Sequence, residues 1–236
     1  MAKKRRTSRR ARRQERQTNW VLIGGIIVGA VAVLGLLALA LSEQTESIED
    51  EPLSMVDYCD ENPEACIVQG EPDAPVSVVE VSDYGCGHCR DFNLETAGLL
   101  EDLYVTPGDV QWVVLPFALR DETVPPARAA MCANEQGQFA EFHHELFERQ
   151  DQLGVLISTD FADVVDVVGL DVEEFQSCFD SLRYIQTLQE NRLAANEARV
   201  TGTPTFFVDG VVLEGNQPLT AFQQAINNAL ETANAN

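Results

Sequence analysis

Two cysteines with two residues between them, Cys86-Gly87-His88-Cys89, are the part of this 236-residue chain best suited by type and spacing to chemistry. Two sulfurs at this spacing can close a disulfide, and a thiolate is the species that attacks a disulfide or leaves one. Just before them Val76 to Val81 (VSVVEV) reads as a buried central strand. After them Cys89, Phe92, Thr96, Leu99, Leu100 and Leu103 keep helical spacing. The pair therefore sits at a strand-to-helix junction, with Cys86 at the helix N-terminus. Free N–H groups and the helix dipole favour the thiolate there. Cys86 is thus the accessible nucleophile, and Cys89, one turn inward on the apolar face, its buried resolving partner. His88 can add positive charge or donate a hydrogen bond to an ionised Cys86. Each unit by which that pKa falls is about 1.36 kcal/mol in favour of the reduced thiolate, which strengthens the disulfide as an oxidant. Glu80 is the only charge in VSVVEV and lies six residues before Cys86. It is the candidate acid for the Cys89 proton.

Other chemistries compete for these residues. A static disulfide or half a zinc site is the alternative for Cys86 and Cys89, but no second CxxC exists to complete a zinc ribbon. His143 and His144 in FAEFHHELF read as packed or interfacial side chains rather than ligands, so no metal is expected. Tyr84 and Phe117 read as packing around the site.

The remaining cysteines are Cys59, Cys66, Cys132 and Cys178, which brings the count to six. An even count outside the cytoplasm implies disulfides. With Cys86 and Cys89 paired, three pairings remain open. Proximity favours Cys59 with Cys66, leaving Cys132 with Cys178. Loop entropy would make the first worth about 2.5 and the second about 4 kcal/mol. Both read as structural staples; a second redox relay at Cys132 and Cys178 is disfavoured because neither lies in a CxxC.

The compartment follows from the N-terminus. Residues 1–19 carry nine of the sixteen Lys and Arg, and residues 20–41 carry no charge. At about 1.5 Å per residue such a helix spans a bilayer, and the basic tail stays cytoplasmic. The expected boundaries are a basic cytoplasmic tail at 1–19, a transmembrane helix at 20–41, an acidic juxtamembrane spacer at 42–66 and a folded domain at 67–236. Ala38-Leu39-Ala40 has the form of a signal-peptidase site, but the apolar run exceeds a secretory signal's, so an uncleaved anchor is expected. Nucleic-acid binding by the tail is not expected. Gly25 and Gly29 form a GxxxG that could pair helices. The exported part has seven Arg, no Lys and 37 acids. Salt adaptation would explain this, and melting indifferent to molar salt would count against it.

Further along, Val110 to Phe117 (VQWVVLPF) reads as a second strand. Pro125-Pro126 opens a helical region in which Cys132, Phe139, His143 and Leu146 share a face. Helical pattern continues over Phe161–Val168, Val172–Phe179 and Leu182–Val200. Thr205–Val208 and Val211–Glu214 flank Asp209-Gly210 as a hairpin, and Leu219, Phe222, Ile226, Ala229 and Leu230 mark a last helix. The order is β, α, β, helical insertion, β, β, α.

Glu80-Val-Ser-Asp-Tyr-Gly-Cys86-Gly-His-Cys89, followed by Thr201-Gly-Thr-Pro204-Thr-Phe-Phe-Val-Asp-Gly, resembles the DsbA-like thiol:disulfide oxidoreductases of the thioredoxin superfamily. The resemblance implies an α/β thioredoxin fold with a helical domain, about residues 120–200, inserted between the CxxC half and the cis-Pro half. Pro204 lies 115 residues after Cys89, which suits that insertion. It further implies a cis Thr203–Pro204 bond facing the cysteines, a Thr203 backbone that pairs with extended substrate, and Glu80 as a buried proton relay. It implies no cofactor beyond the redox-active disulfide. The implied partners are exported clients with free thiols and a quinone-linked reoxidant, DsbB-like or like vitamin-K-epoxide reductase. Gly-His stands where strong oxidases of the family have Pro-His, and Gly-His also occurs in isomerases. The expected function is a membrane-anchored extracytoplasmic oxidoreductase that donates the Cys86–Cys89 disulfide. The alternatives are an isomerase or reductase of the same fold, or a non-catalytic module that binds metal or clients.

Overall fold

The computed structural model describes residues 23–25, 29–33, 52–152 and 161–235. The chain divides into two compact units, 1–51 and 52–236. In the first, residues 23–25 and 29–33 are helical and exposed. Most of the expected span at 20–41, the tail at 1–19 and the acidic stretch to 51 lie outside the described residues. Among the described residues no helix is long and apolar enough to cross a membrane.

The second unit is built on a five-stranded sheet in the order β1-β3-β2-β4-β5. Its strands are β1 (Ile67–Gln69), β2 (Val76–Ser82), β3 (Val110–Pro116), β4 (Thr205–Val208) and β5 (Val211–Glu214). β2 and β3 are parallel, with Val78 opposite Trp112 and Glu80 opposite Val114. β4 runs antiparallel to β2, with Glu80 opposite Phe206, and the β4–β5 hairpin turns at Asp209-Gly210 as expected. β1, three residues long and antiparallel to β3, is an edge strand too short for the sequence pattern to reveal.

Alternation along β2 sorts its side chains onto two faces. Val78 joins a core with Cys89, Phe92, Leu100, Trp112, Phe206, Phe222 and Ile226. Val79 and Val81 join a second core with Met55, Cys59, Leu115, Ala194 and Ala195. Helix α2 (Gly87–Phe92) and the last helix, α8 (Leu219–Ala235), supply the first core. Helices α1 (Met55–Glu61) and α7 (Ile185–Glu197) supply the second. Between β3 and β4 come α3 (Val124–Glu135), α4 (Phe139–Glu148), α5 (Ala162–Val168), α6 (Val172–Asp180) and α7. The helical insertion is therefore present where expected. The face expected to carry Cys132 together with Phe139, His143 and Leu146 is divided between α3 and α4, because Gly137 takes a positive φ of 70° between them.

Two expectations need correction. Residues 52–66 are part of the folded unit, not a spacer. Ser54 caps α1 by accepting from Asp57 N, Met55 and Cys59 are buried one helical turn apart, and Cys59 is bonded to Cys66. The buried Asn191 amide donates to Ala65 O and Pro116 O and accepts from Tyr58 Oη, so α7 holds this segment against the sheet. Two buried positions in a seven-residue helix are too few to show a period.

The second correction concerns the helix after the cysteines. Beyond Phe92 it continues as a π-helical turn at Asn93–Ala97, an α-helical turn at Gly98–Leu100 and a second π turn at Glu101–Val105. A π turn takes one more residue than an α turn, so the buried face shifts. Leu100 and Tyr104 are buried, whereas Leu99 and Leu103 are 50% and 46% exposed.

Candidate active site

The loop from Ser82 to Cys86 is held by Asp83. Its carboxylate accepts from Gly85 N at 2.6 Å, Leu119 N at 2.6 Å and Thr123 Oγ1 at 3.0 Å, while Cys86 N donates to Asp83 O at 3.0 Å. The Asp83-to-Gly85 bond is an Asx turn, which the sequence Ser-Asp-Tyr-Gly announces. Gly85 fits because a Cβ there would lie 2.5 Å from Thr123 Cγ2. From the helical insertion, Gln150 Nε2 donates at 2.9 Å to both Tyr84 O and Cys86 O. Gln150 carries no sequence signal of this role.

Cys86 is the N-cap of α2 and half-buried, and Cys89 is fully buried one turn later. Both are free thiols in this structure. The Cys86 thiol donates to Thr203 O at 3.1 Å across 117 residues. Thr203–Pro204 is cis, so the TGTP segment meets the cysteine pair as the resemblance implies. The Cys86 pKa falls to about 5, first through hydrogen bonding from the Cys89 thiol, with further help from Thr203 and the N–H groups of Cys89 and His88; burial opposes this. Burial pushes Cys89 up instead, reinforced by the neighbouring Cys86. Two sulfurs three residues apart thus divide into a thiolate and a thiol. The His88 ring is exposed, and it is the backbone N–H of His88 that acts on Cys86.

A thiolate of this kind titrates far below an ordinary cysteine. Alkylation of reduced protein by iodoacetamide is expected to give a Cys86 rate profile with its midpoint near pH 5, and a midpoint near 8.5 would remove the electrostatic basis of the site. The stabilisation this lends the reduced fold is fully present above the unfolded thiol's range and is lost as pH falls through about 5.

Glu80 lies on the β2 face that carries the first core and is 1% exposed. Trp112 Nε1 donates to Oε2 at 3.0 Å and Asn93 Nδ2 to Oε1 at 3.3 Å. Burial raises its pKa, and these donors oppose the rise. A cavity of about 340 Å³ reaches Glu80, lined also by Asn93, Trp112, Gly98, His143 and His144. His144 is exposed and ion-paired with Glu148 at 3.5 Å. Because the carboxyl pKa is raised, Glu80 costs the fold stability as pH climbs through that pKa. Glu80→Gln is therefore expected to melt higher than the parent at pH 8, the gap closing near pH 4. Equal melting at pH 8 would mean the carboxyl is not desolvated.

His143 behaves as a packed group. His143 is buried, hydrogen-bonded through Nδ1 to Tyr84 Oη at 2.6 Å and flanked by Phe139 and Phe147. Burial, and then His144, push its pKa down to about 3, so the ring is neutral at physiological pH. Tyr84 and Phe117 are buried in packing roles, as expected. No cluster of metal-ligating side chains occurs among the described residues. Both structural disulfides have the expected pairing, Cys59–Cys66 and Cys132–Cys178.

A parallel β2–β3 pair, an antiparallel β4–β5 hairpin, a cysteine pair at a helix start and a cis-proline facing it define a thioredoxin-type protein. Residues 62–228 match the family described as Thioredoxin, and the chain belongs to that family. Among curated proteins it is 27% identical over 195 residues to a putative protein-disulfide oxidoreductase of Rickettsia felis, covering 80% of this chain and 68% of that one. It is 28% identical over 170 residues to a second, from Rickettsia typhi, covering 70% of this chain and 62% of that one. The chain thus spans about two thirds of the length of these relatives. Among solved structures it is similar in fold to Chlamydia trachomatis DsbA, with a TM-score of 0.64 at 17% identity, over 70% of this chain and 91% of that one. Family, relatives and site together make this chain a thiol:disulfide oxidoreductase of the Thioredoxin family, with a fold like that of DsbA.

Proposed function

We propose that the protein donates its Cys86–Cys89 disulfide to exported client proteins, on the outer side of a membrane to which residues 20–41 anchor it. The observation that carries this reading is the Cys86 pKa of about 5 beside a buried Cys89. A stabilised thiolate lowers the free energy of the reduced form, which makes the disulfide the better oxidant. A client thiolate attacks Cys86 Sγ, the Cys86–Cys89 bond breaks, and Cys89 leaves as a thiolate in a buried site. Glu80 supplies its proton. The client's second thiolate then attacks the client sulfur of the mixed disulfide, so the client leaves oxidised and the pair remains reduced. The Thr203 backbone, already beside Cys86, is where an extended client segment pairs. The sulfurs carry the electrons without a further cofactor. A quinone-linked membrane protein, DsbB-like or like vitamin-K-epoxide reductase, is the reoxidant. The uncharged run at 20–41 behind a basic tail supports the anchor and accounts for the tail's charge without nucleic acid.

The test is the reduction potential of the pair in the full chain, equilibrated in glutathione buffers and read by quenched alkylation of Cys86 and Cys89. A value of about −120 to −180 mV is expected; one near −270 mV overturns donation in favour of a reductase. Within the expected range, scrambled-substrate refolding separates an isomerase from an oxidase.

A further inference from the structure

Ser82 is the last residue of β2, two residues after Glu80, and so shares the strand face that looks onto α2. Its side chain is 2% exposed. Ser82 Oγ is the one buried side-chain polar atom among the described residues with no hydrogen-bond partner. Leaving a buried hydroxyl unpaired costs about 1–3 kcal/mol, so the position carries a structural penalty. Elsewhere around the site polar groups are satisfied: Asp83 has three donors and Glu80 has two. The Ser82 backbone is also paired, its carbonyl accepting from Phe117 N at 2.9 Å. The exception therefore falls on the hydroxyl at the end of the strand that leads from the buried acid to Cys86 and Cys89.

A hydroxyl can accept one proton while it donates another. We propose that Ser82 is a proton-relay residue, its hydroxyl passing the Glu80 proton to the Cys89 sulfur when the disulfide opens. This rests on Glu80 being the acid of the reading above. The Glu80 O–H bond breaks as a new Ser82 O–H bond forms, and the original Ser82 O–H bond breaks as the Cys89 S–H bond forms. The serine ends as it began, Glu80 is left as a carboxylate, and Cys89 as a thiol. Trp112 and Asn93 then steady the carboxylate until it is reprotonated through the cavity that His144 borders. Ser82 lies close enough to Glu80 to favour its ionised form, without an ordinary hydrogen bond. The other ionisable groups around the path are Cys86 and Cys89 on α2, the satisfied Asp83 carboxylate, Tyr84, and His143 from α4, which is neutral.

The experiment follows single-turnover reduction of the oxidised full-length chain by a dithiol peptide, read by tryptophan fluorescence in mixtures of light and heavy water. The parent, Ser82→Ala, Ser82→Thr and Glu80→Gln are compared across pH. Ser82→Ala is expected to slow the step about tenfold and to turn a curved dependence on deuterium fraction into a linear one. Ser82→Thr, which keeps a hydroxyl, is expected to restore the rate and the curvature. A parental rate and curvature in Ser82→Ala, with Glu80→Gln slow, overturns the role of Ser82 and leaves Glu80 standing. Parental behaviour in Glu80→Gln as well removes the relay altogether.

Discussion

Cys86→Ser is expected to lose client oxidation by about four orders of magnitude or more, to the limit of detection. The serine hydroxyl cannot form a disulfide, and with Cys86 gone the remaining thiol, Cys89, is fully buried with its pKa raised, so it cannot substitute as nucleophile. Cys89→Ser is expected to behave differently. Its Cys86 can still be joined to a client sulfur, but no internal thiol can release it, so covalent complexes should accumulate that a reducing gel dissolves. The pair of variants separates an exchange enzyme from a binding module. Client oxidation that survives Cys86→Ser would show that the chemistry lies elsewhere. Failure of Cys89→Ser to retain any client in covalent form would show that Cys86 is not the attacked sulfur.

The second large effect concerns stability. Cys132 on α3 and Cys178 on α6 are buried, bonded to each other and separated by 46 residues of the helical insertion. Closing a loop of that length restrains the unfolded chain by about 4 kcal/mol in the entropy model. Cys132→Ala with Cys178→Ala is therefore expected to lower the melting temperature by about 8–16 °C for a unit of this size. At 25 °C exchange activity should stay close to the parent's, because Cys86 and Cys89 keep their own surroundings. Calorimetry in oxidising buffer checks this, and an unchanged melting temperature would mean that the bridge does not restrain the chain. If activity fell before the fold melted, the insertion would be acting on the site, and Gln150, which bonds the Tyr84 and Cys86 carbonyls, is the contact to examine.

Where the sequence could be read, it was because pattern and chemistry coincided. Val76–Val81 announces a buried strand, CxxC an exchange pair, and Asp209-Gly210 a hairpin, and each is local. Glu80 was legible because a lone charge in an apolar strand needs a reason. The contacts that make the site work are not local. Thr203 reaches Cys86 across 117 residues, Trp112 reaches Glu80 across 32 and Gln150 reaches Cys86 across 64. No spacing rule connects them; only the family resemblance brought Thr203 and Pro204 to the cysteines. At His88 the geometry of the helix start adds a contribution that its side-chain type does not announce, a backbone N–H acting on Cys86. Residues 55–66 were under-read because their order comes from tertiary partners, Asn191 above all, and hardly from their own composition. Asp83 could have been found, since an Asp two residues before a Gly at a strand end is a turn signal.

The two π turns after Phe92 bear on how this helix can be altered. Each is equivalent to a single residue inserted into an α-helix, so a one-residue deletion within Asn93–Ala97 should be accommodated by reversion to regular winding instead of by unfolding. Everything beyond the deletion would then keep its phase about the axis, with Leu100 still buried and Leu99 still exposed. Alignments with relatives whose helix is regular should accordingly show gaps inside a helix, where insertions are ordinarily rejected. Such a gap would mark a change of winding that preserves the buried face, not a missing piece of the fold.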